Sequence, residues 1–214
     1  MPFIIPPPPQ PELPVAGRHE TFPIRRVYCV GRNYAEHARE RGSEIPTQPI
    51  FFLKSNNTIC GPGDPIVIPP TSQQVDYEAE FVVVIGKGGK NIPENRAYEH
   101  VAGYTIMNDV SCRAAQYGDK QWFRGKSFDT FAPCGPWIVP AADLGDPHRL
   151  AIRAFWNGTK MQESNTADLI HNAFDLVSYV SHQMTLQPGD LIATGTPSGV
   201  GVFRDPPVFL KPGD

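Results

Sequence analysis

Glu78 and Glu80 stand two residues apart in the run Val75-Asp76-Tyr77-Glu78-Ala79-Glu80-Phe81-Val82-Val83-Val84-Ile85, and Asp109 follows a second apolar run, Val101 to Met107. The first run is rich in β-branched residues and reads as a strand. Residues i and i+2 of a strand point to one face, which would set the two glutamates side by side. Like charges that close repel, so a positive species between them is expected. Oxygen-only ligation favours a hard cation such as Mg²⁺, Mn²⁺ or Ca²⁺. The alternative is a solvated pair on the wet face of a sheet.

His37 and Glu40 lie three residues apart in a helix-forming stretch, Asn33 to Arg41, which Gly42 would stop. On a helix they share a face, so Glu40 could orient His37 or hold its proton, and such a pair can take a proton at neutral pH. An ordinary surface pair has the same spacing. Lys126 sits among bulky aromatics in Trp122-Phe123-Arg124-Gly125-Lys126-Ser127-Phe128, where an enclosed lysine could meet an anion. Thr194 to Gly201 packs glycines and hydroxyls at the end of an apolar run, so a ligand could approach backbone N–H groups there. Other motifs fail. Gly86-Lys87-Gly88-Gly89-Lys90-Asn91 ends on Asn91, Gly125-Lys126-Ser127 lacks the first glycine of a phosphate loop, and Thr196 occupies the first position of a serine-hydrolase elbow around Ser198.

The elements that must position these residues are mostly strands. Runs at Ile24–Val30, 50–54, 66–68, 75–85, 101–107, 137–139, 150–156 and 191–194 read as β-structure, with an Asn157-Gly158 hairpin turn. One long helix is expected from a cap at Asn165 or Thr166, through Leu169, Ile170, Ala173, Phe174 and Val177 to Val180. A helical turn is expected around Pro93 to Ala97, and Asn33 is the expected cap of the first helix.

The 214 residues suit one core, and their 24 prolines and 19 glycines imply many turns. A net charge of −3 gives no footprint for nucleic acid or an anionic membrane, and no apolar run approaches the ~18 residues of a membrane span. Four cysteines without CxxC spacing are expected to be reduced thiols of a cytoplasmic protein. Residues 1–23 read as a proline-rich arm without the features of a signal peptide, and residues 24–214 as one catalytic domain. Pro-Gly-Asp precedes an apolar strand at Asp64 and Asp190, but at Asp214 nothing follows, so this domain is expected to lack its last strand or two.

Taken in order, Val30-Gly31-Arg32-Asn33-Tyr34-Ala35 with His37 and Glu40, Tyr77-Glu78-Ala79-Glu80, Asn108-Asp109, Arg124-Gly125-Lys126-Ser127 and Thr194 to Gly201 resemble the fumarylacetoacetate hydrolase family, in particular its small single-domain members. The resemblance implies an α+β, predominantly β fold, a mixed β-sandwich roll with a few helices, in a homodimer. It implies Mg²⁺, or Mn²⁺ or Ca²⁺, on Glu78, Glu80 and Asp109. It implies catalytic roles for His37, Glu40 and Lys126, and contacts from Arg32, Arg113, Gln116 and Thr196 to a small 2-oxo acid. The arm and Phe22 to Val30 are similar to fumarylpyruvate hydrolases. The expected activity is therefore cleavage of an acylpyruvate to pyruvate and a carboxylic acid in aromatic-compound breakdown. Tyr77 to Glu80 and Arg124 to Phe131 look more like isomerases and decarboxylases of hydroxymuconate-type diacids. An isomerase or decarboxylase, including one acting on oxaloacetate, is thus the alternative, and an inactive truncated relative is a further one.

Overall fold

The computed structural model describes residues 3–214. In chain order the strands and helices of its first half are β1 (Glu12–Pro14), β2 (Thr21–Pro23), β3 (Val27–Gly31), α1 (Ala35–Glu40), β4 (Ile50–Lys54), β5 (Ile59–Cys60), β6 (Val75–Asp76) and β7 (Ala79–Ile85). They continue with β8 (Val101–Asn108), β9 (Ser111–Cys112), α2 (Arg113–Gly118), α3 (Phe123–Lys126) and β10 (Ala132–Pro140). The last are α4 (Ala141–Leu144), β11 (Ala151–Trp156), β12 (Thr159–Asn165), α5 (Ala173–Gln183) and β13 (Leu191–Ala193). Seven strands form one mixed sheet in the order β4-β3-β13-β7-β8-β10-β5, and three two-stranded pairs, β1-β2, β6-β9 and β11-β12, flank it. This is the expected predominantly β fold with a few helices.

Strand alternation divides the core. In β7, Phe81, Val83 and Ile85 face one cluster with α5, while Val82 and Val84 face a second cluster with Leu13 of β1. The sheet is covered on both faces, which is why β7 reads as one continuous apolar run. Helix α5 buries Ala173, Leu176, Val177 and Val180, a single stripe at helical spacing. Each large side chain in that stripe contributes about 1.5–3 kcal/mol by leaving water. Leu13 is wholly buried, so residues 12–14 pack as a strand at the end of the proline-rich stretch.

Two helix boundaries differ from expectation for one reason. The Asn33 side chain does not cap α1. Its Nδ2 donates to His171 O at 2.9 Å and to Thr194 O at 2.8 Å, and its Oδ1 accepts from His171 N at 2.8 Å. Ile170 N also donates to Asn33 O. These bonds hold residues 170–171 away from helical pairing, so Asn165 caps only a 3₁₀ turn, Thr166–Asp168. The long helix starts at Ala173, where Asn172 accepts from Phe174 N and Asp175 N. Residues 66–68 form no strand. Val67 N donates instead to Thr130 Oγ1, and Ile66 and Ile68 pack on a third cluster. No helix among the described residues is long and apolar enough to cross a membrane.

Candidate active site

The register of β7 against β8 pairs Ala79 with Asn108 and Glu80 with Met107, which carries Glu78, Glu80 and Asp109 to one end of the sheet. Glu78 lies in the link between β6 and β7 rather than within one long strand. Its N–H donates to Asn108 Oδ1 at 2.9 Å, and its carbonyl accepts from Asp109 N at 2.8 Å. All three acidic side chains are buried, and one oxygen of each lies within 4.8 Å of the others.

Three cations face this cluster. Lys126 Nζ donates to Glu78 Oε2 and Asp109 Oδ2, both at 2.7 Å. Lys54 Nζ donates to Asp109 Oδ1 at 2.6 Å, and Arg113 Nη1 lies 2.7 Å from Glu78 Oε1. Arg113 also donates through Nε and Nη2 to Asp76 Oδ2 and through Nη1 to Gln116 Oε1. Asp76 in turn accepts from Gly201 N and Val202 N, which ties α2 to the loop after β13.

Among the described residues, Glu80 accepts a side-chain hydrogen bond only from Gly195 N, 2.9 Å from Oε2. Burial, reinforced by Asp109 and Glu78, pushes its carboxyl well above the usual range. For Glu78 burial acts upward too, but Lys126 and Arg113 outweigh it and hold the group low. Burial would discharge Lys126, yet Asp109 and Glu78 prevail and keep it an ammonium. Four carboxylates, counting Asp76, thus face three cations, and the one with least compensation is Glu80. An oxygen-only cluster in which one carboxylate has no cation partner is chemistry that fits Mg²⁺ or Mn²⁺.

His37 on α1 lines the same pocket, as do Arg32, Gln116 and Thr196. Its Nδ1 is 3.1 Å from Glu40 Oε2, while Glu40 Oε1 accepts from Gly199 N at 3.0 Å. The helix is thereby latched to the loop after β13, and His37 is not on a solvated face: it is 4% exposed. Thr196 Oγ1 donates to Ala79 O and accepts from Gln162 Nε2. The space enclosed is about 20 Å³, room for about one water molecule or ion.

All ten expected site residues therefore converge on one cluster and its surround. Sequence reading missed Lys54 and Asp76. Lys54 ends the apolar strand Ile50–Lys54, and Asp76 precedes Glu78 by two, so the alternation that singled out the glutamates extends to it. Gln162 of β12 left no signal, because its role depends on a hairpin packing beside β7.

The fumarylacetoacetate (FAA) hydrolase C-terminal family model matches residues 26–214. The chain is 52% identical over 211 residues to oxaloacetate tautomerase FAHD2A, mitochondrial, of Bos taurus, covering 95% of this chain and 67% of that protein. It is 49% identical over 211 residues to the Homo sapiens protein of the same name, with the same coverage. Among solved structures it resembles fumarylpyruvate hydrolase from Pseudomonas aeruginosa in complex with Mn²⁺ and pyruvate. That match has a TM-score of 0.86 at 40% identity and covers 92% of this chain and 88% of the other.

These findings correct two expectations. The relatives at about half identity are named oxaloacetate tautomerases, so the acylpyruvate-hydrolase reading gives way to its isomerase/decarboxylase alternative. The motifs shared with hydrolases hold the site common to both chemistries, which is why they could not choose. The cytoplasmic location is corrected by the same relatives, whose names carry the word mitochondrial.

Proposed function

Because the chain belongs to the fumarylacetoacetate hydrolase family, we propose that it interconverts the keto and enol forms of a 2-oxo acid of the oxaloacetate type. The observation that carries this reading is His37, buried, oriented through Nδ1 by Glu40, and lining one pocket with Lys126, Glu78 and Glu80, two of the three clustered carboxylates. The oxaloacetate tautomerase names of relatives at about half identity support it.

In this reading Glu78, Glu80 and Asp109 hold a divalent ion, Mg²⁺ or Mn²⁺. Such an ion, when bound, polarises the 2-oxo group. His37 Nε2 accepts the proton from C3, the C–H electron pair becomes the C2–C3 double bond, and the oxo π electrons pass to the C2 oxygen. His37 then delivers the proton to that oxygen, and the reverse sequence restores the keto form. Glu40 holds the imidazole through Nδ1, leaving Nε2 for the substrate. Lys126, held as an ammonium by its carboxylate neighbours, stabilises negative charge rather than removing a proton. Arg32, Arg113, Gln116 and Thr196 line or support the substrate side. A homodimer is part of this reading, and exposed Ile106, Trp137 and Phe155 supply apolar surface for it; sedimentation tests that point.

The test is a spectroscopic assay of oxaloacetate keto–enol exchange with Mg²⁺ or Mn²⁺, run beside fumarylpyruvate cleavage and oxaloacetate decarboxylation. Exchange that a chelator stops is the expected result. Decarboxylation or cleavage without accelerated exchange would overturn the proposal.

A further inference from the structure

Two guanidinium groups at the pocket have no anion. Arg32 and Arg41 both line it, the Nε of each is buried without a hydrogen-bond partner, and among the described residues neither is ion-paired. Arg26, Arg113, Arg124 and Arg153, in contrast, each meet a carboxylate. The pair is built around one ring: the guanidinium carbons of Arg32 and Arg41 lie 5.9 and 5.8 Å from the Trp122 centroid, and Arg41 is also 5.8 Å from Phe203. Arg32 has φ 59°, a left-handed conformation costly for a long side chain and usually sustained where function requires it.

Two of the three clustered carboxylates are already paired with other cations. Glu78 is occupied by Arg113 and Lys126, and Asp109 by Lys54 and Lys126. Arg113 is committed to Asp76, Glu78 and Gln116. Glu80, the third carboxylate, is a metal ligand in the reading above, so an anion from outside the chain is what balances Arg32 and Arg41. Guanidinium groups held against aromatic rings keep a planar fork of donors for a carboxylate.

We propose that Arg41, with Arg32, receives the second carboxylate of a dicarboxylic 2-oxo acid and so selects dicarboxylates over monocarboxylates. The assignment rests on the 2-oxo acid reading of the site and adds the residue that sets the substrate class. Burial is the largest influence on the Arg41 guanidinium and lowers it; Arg32 and Arg113 act the same way, against upward pulls from Tyr117 and Glu78. Arg41 also closes α1, its backbone N–H donating to His37 O. A carboxylate seated on Arg41 therefore steadies the helix that carries His37 and Glu40.

The experiment is calorimetric titration of the Mn²⁺-supplemented protein with malate and with lactate, which differ in the second carboxylate and do not require turnover. Wild type is expected to bind malate about tenfold or more tightly than lactate, the scale of a hydrogen bond to a charged group. Arg41→Gln is expected to lose that preference while keeping its lactate affinity, and Arg41→Lys to keep part of it. Thermal melts verify that both variants fold. A wild type with no preference, absence of binding included, or an Arg41→Gln variant that retains the preference, overturns the proposal. Malate preference in a protein that does not accelerate oxaloacetate exchange would leave Arg41 assigned and defeat only the tautomerase reading.

Discussion

Lys54 Nζ lies 2.6 Å from Asp109 Oδ1, and neither side chain has any exposure. Lys126 holds the other oxygen of Asp109 at 2.7 Å, so each oxygen of this carboxylate is faced by its own lysine. Lys54 reaches it from the end of β4, an edge strand separated from β8 by three others in the sheet order. Two distant strands are joined by one ion pair at the floor of the site.

Removing one partner of a buried pair leaves the other charge in a poor solvent. Lys54→Met should therefore lower unfolding stability by about 3–5 kcal/mol. Arg153→Ala, which breaks an exposed pair with Glu163, should change it little. Urea midpoints for the two variants check the contrast. Equal effects would mean that Lys54 is not holding a buried charge.

His37→Ala should lower kcat for oxaloacetate exchange by about 10²- to 10⁴-fold, the usual contribution of a positioned general base. Glu40→Gln keeps an oxygen for Gly199 N but removes the charge beside Nδ1, so it should fall between wild type and His37→Ala. Steady-state kinetics at one metal concentration decide the order. Retention of full kcat in His37→Ala would remove the histidine from the mechanism.

Saturating divalent ion should stabilise the fold, because the three carboxylates cluster only in the native state. At about 100 times its dissociation constant, Mn²⁺ should add about 2.7 kcal/mol. Glu80→Gln should abolish most of that gain, since Glu80 is the carboxylate with a single backbone partner. Melting curves across a Mn²⁺ series are the measurement, and an undiminished shift in Glu80→Gln would place the ion elsewhere.

Burial pushes the Cys134 thiol up to about 12, while an unfolded cysteine titrates near 8.5. A folded value above the unfolded one means the native state keeps its proton while the unfolded chain releases it. The associated stability is complete below about pH 8.5 and is lost as pH rises toward 12, by about 1.4 kcal/mol per pH unit. Cys134→Ala should reduce the slope of alkaline destabilisation by that amount. Chemical denaturation at several pH values between 9 and 11, with reductant present, reads it.

The sequence alone determined what local pattern can carry. Alternation suggested that Glu78 and Glu80 stand together, Asn157-Gly158 made its hairpin with both residues at positive φ, and the β-branched run of β7 announced a strand. The ordered motifs identified the family, and with it ten residues that the fold brings to one cluster and its surround. Tertiary structure decided the rest, because it depends on partners far along the chain. Asn33 looks like a helix cap until His171 and Thr194 come within reach, and its bonds to them explain why α5 starts at Ala173. Lys54 and Asp76 look like ordinary charges until packing brings them to Asp109 and Arg113. Spacing could say that two glutamates repel. Only the closing of β7 on β8, with two lysines and an arginine packed beneath, decided which carboxylates are compensated and which one, Glu80, is left with a single backbone donor.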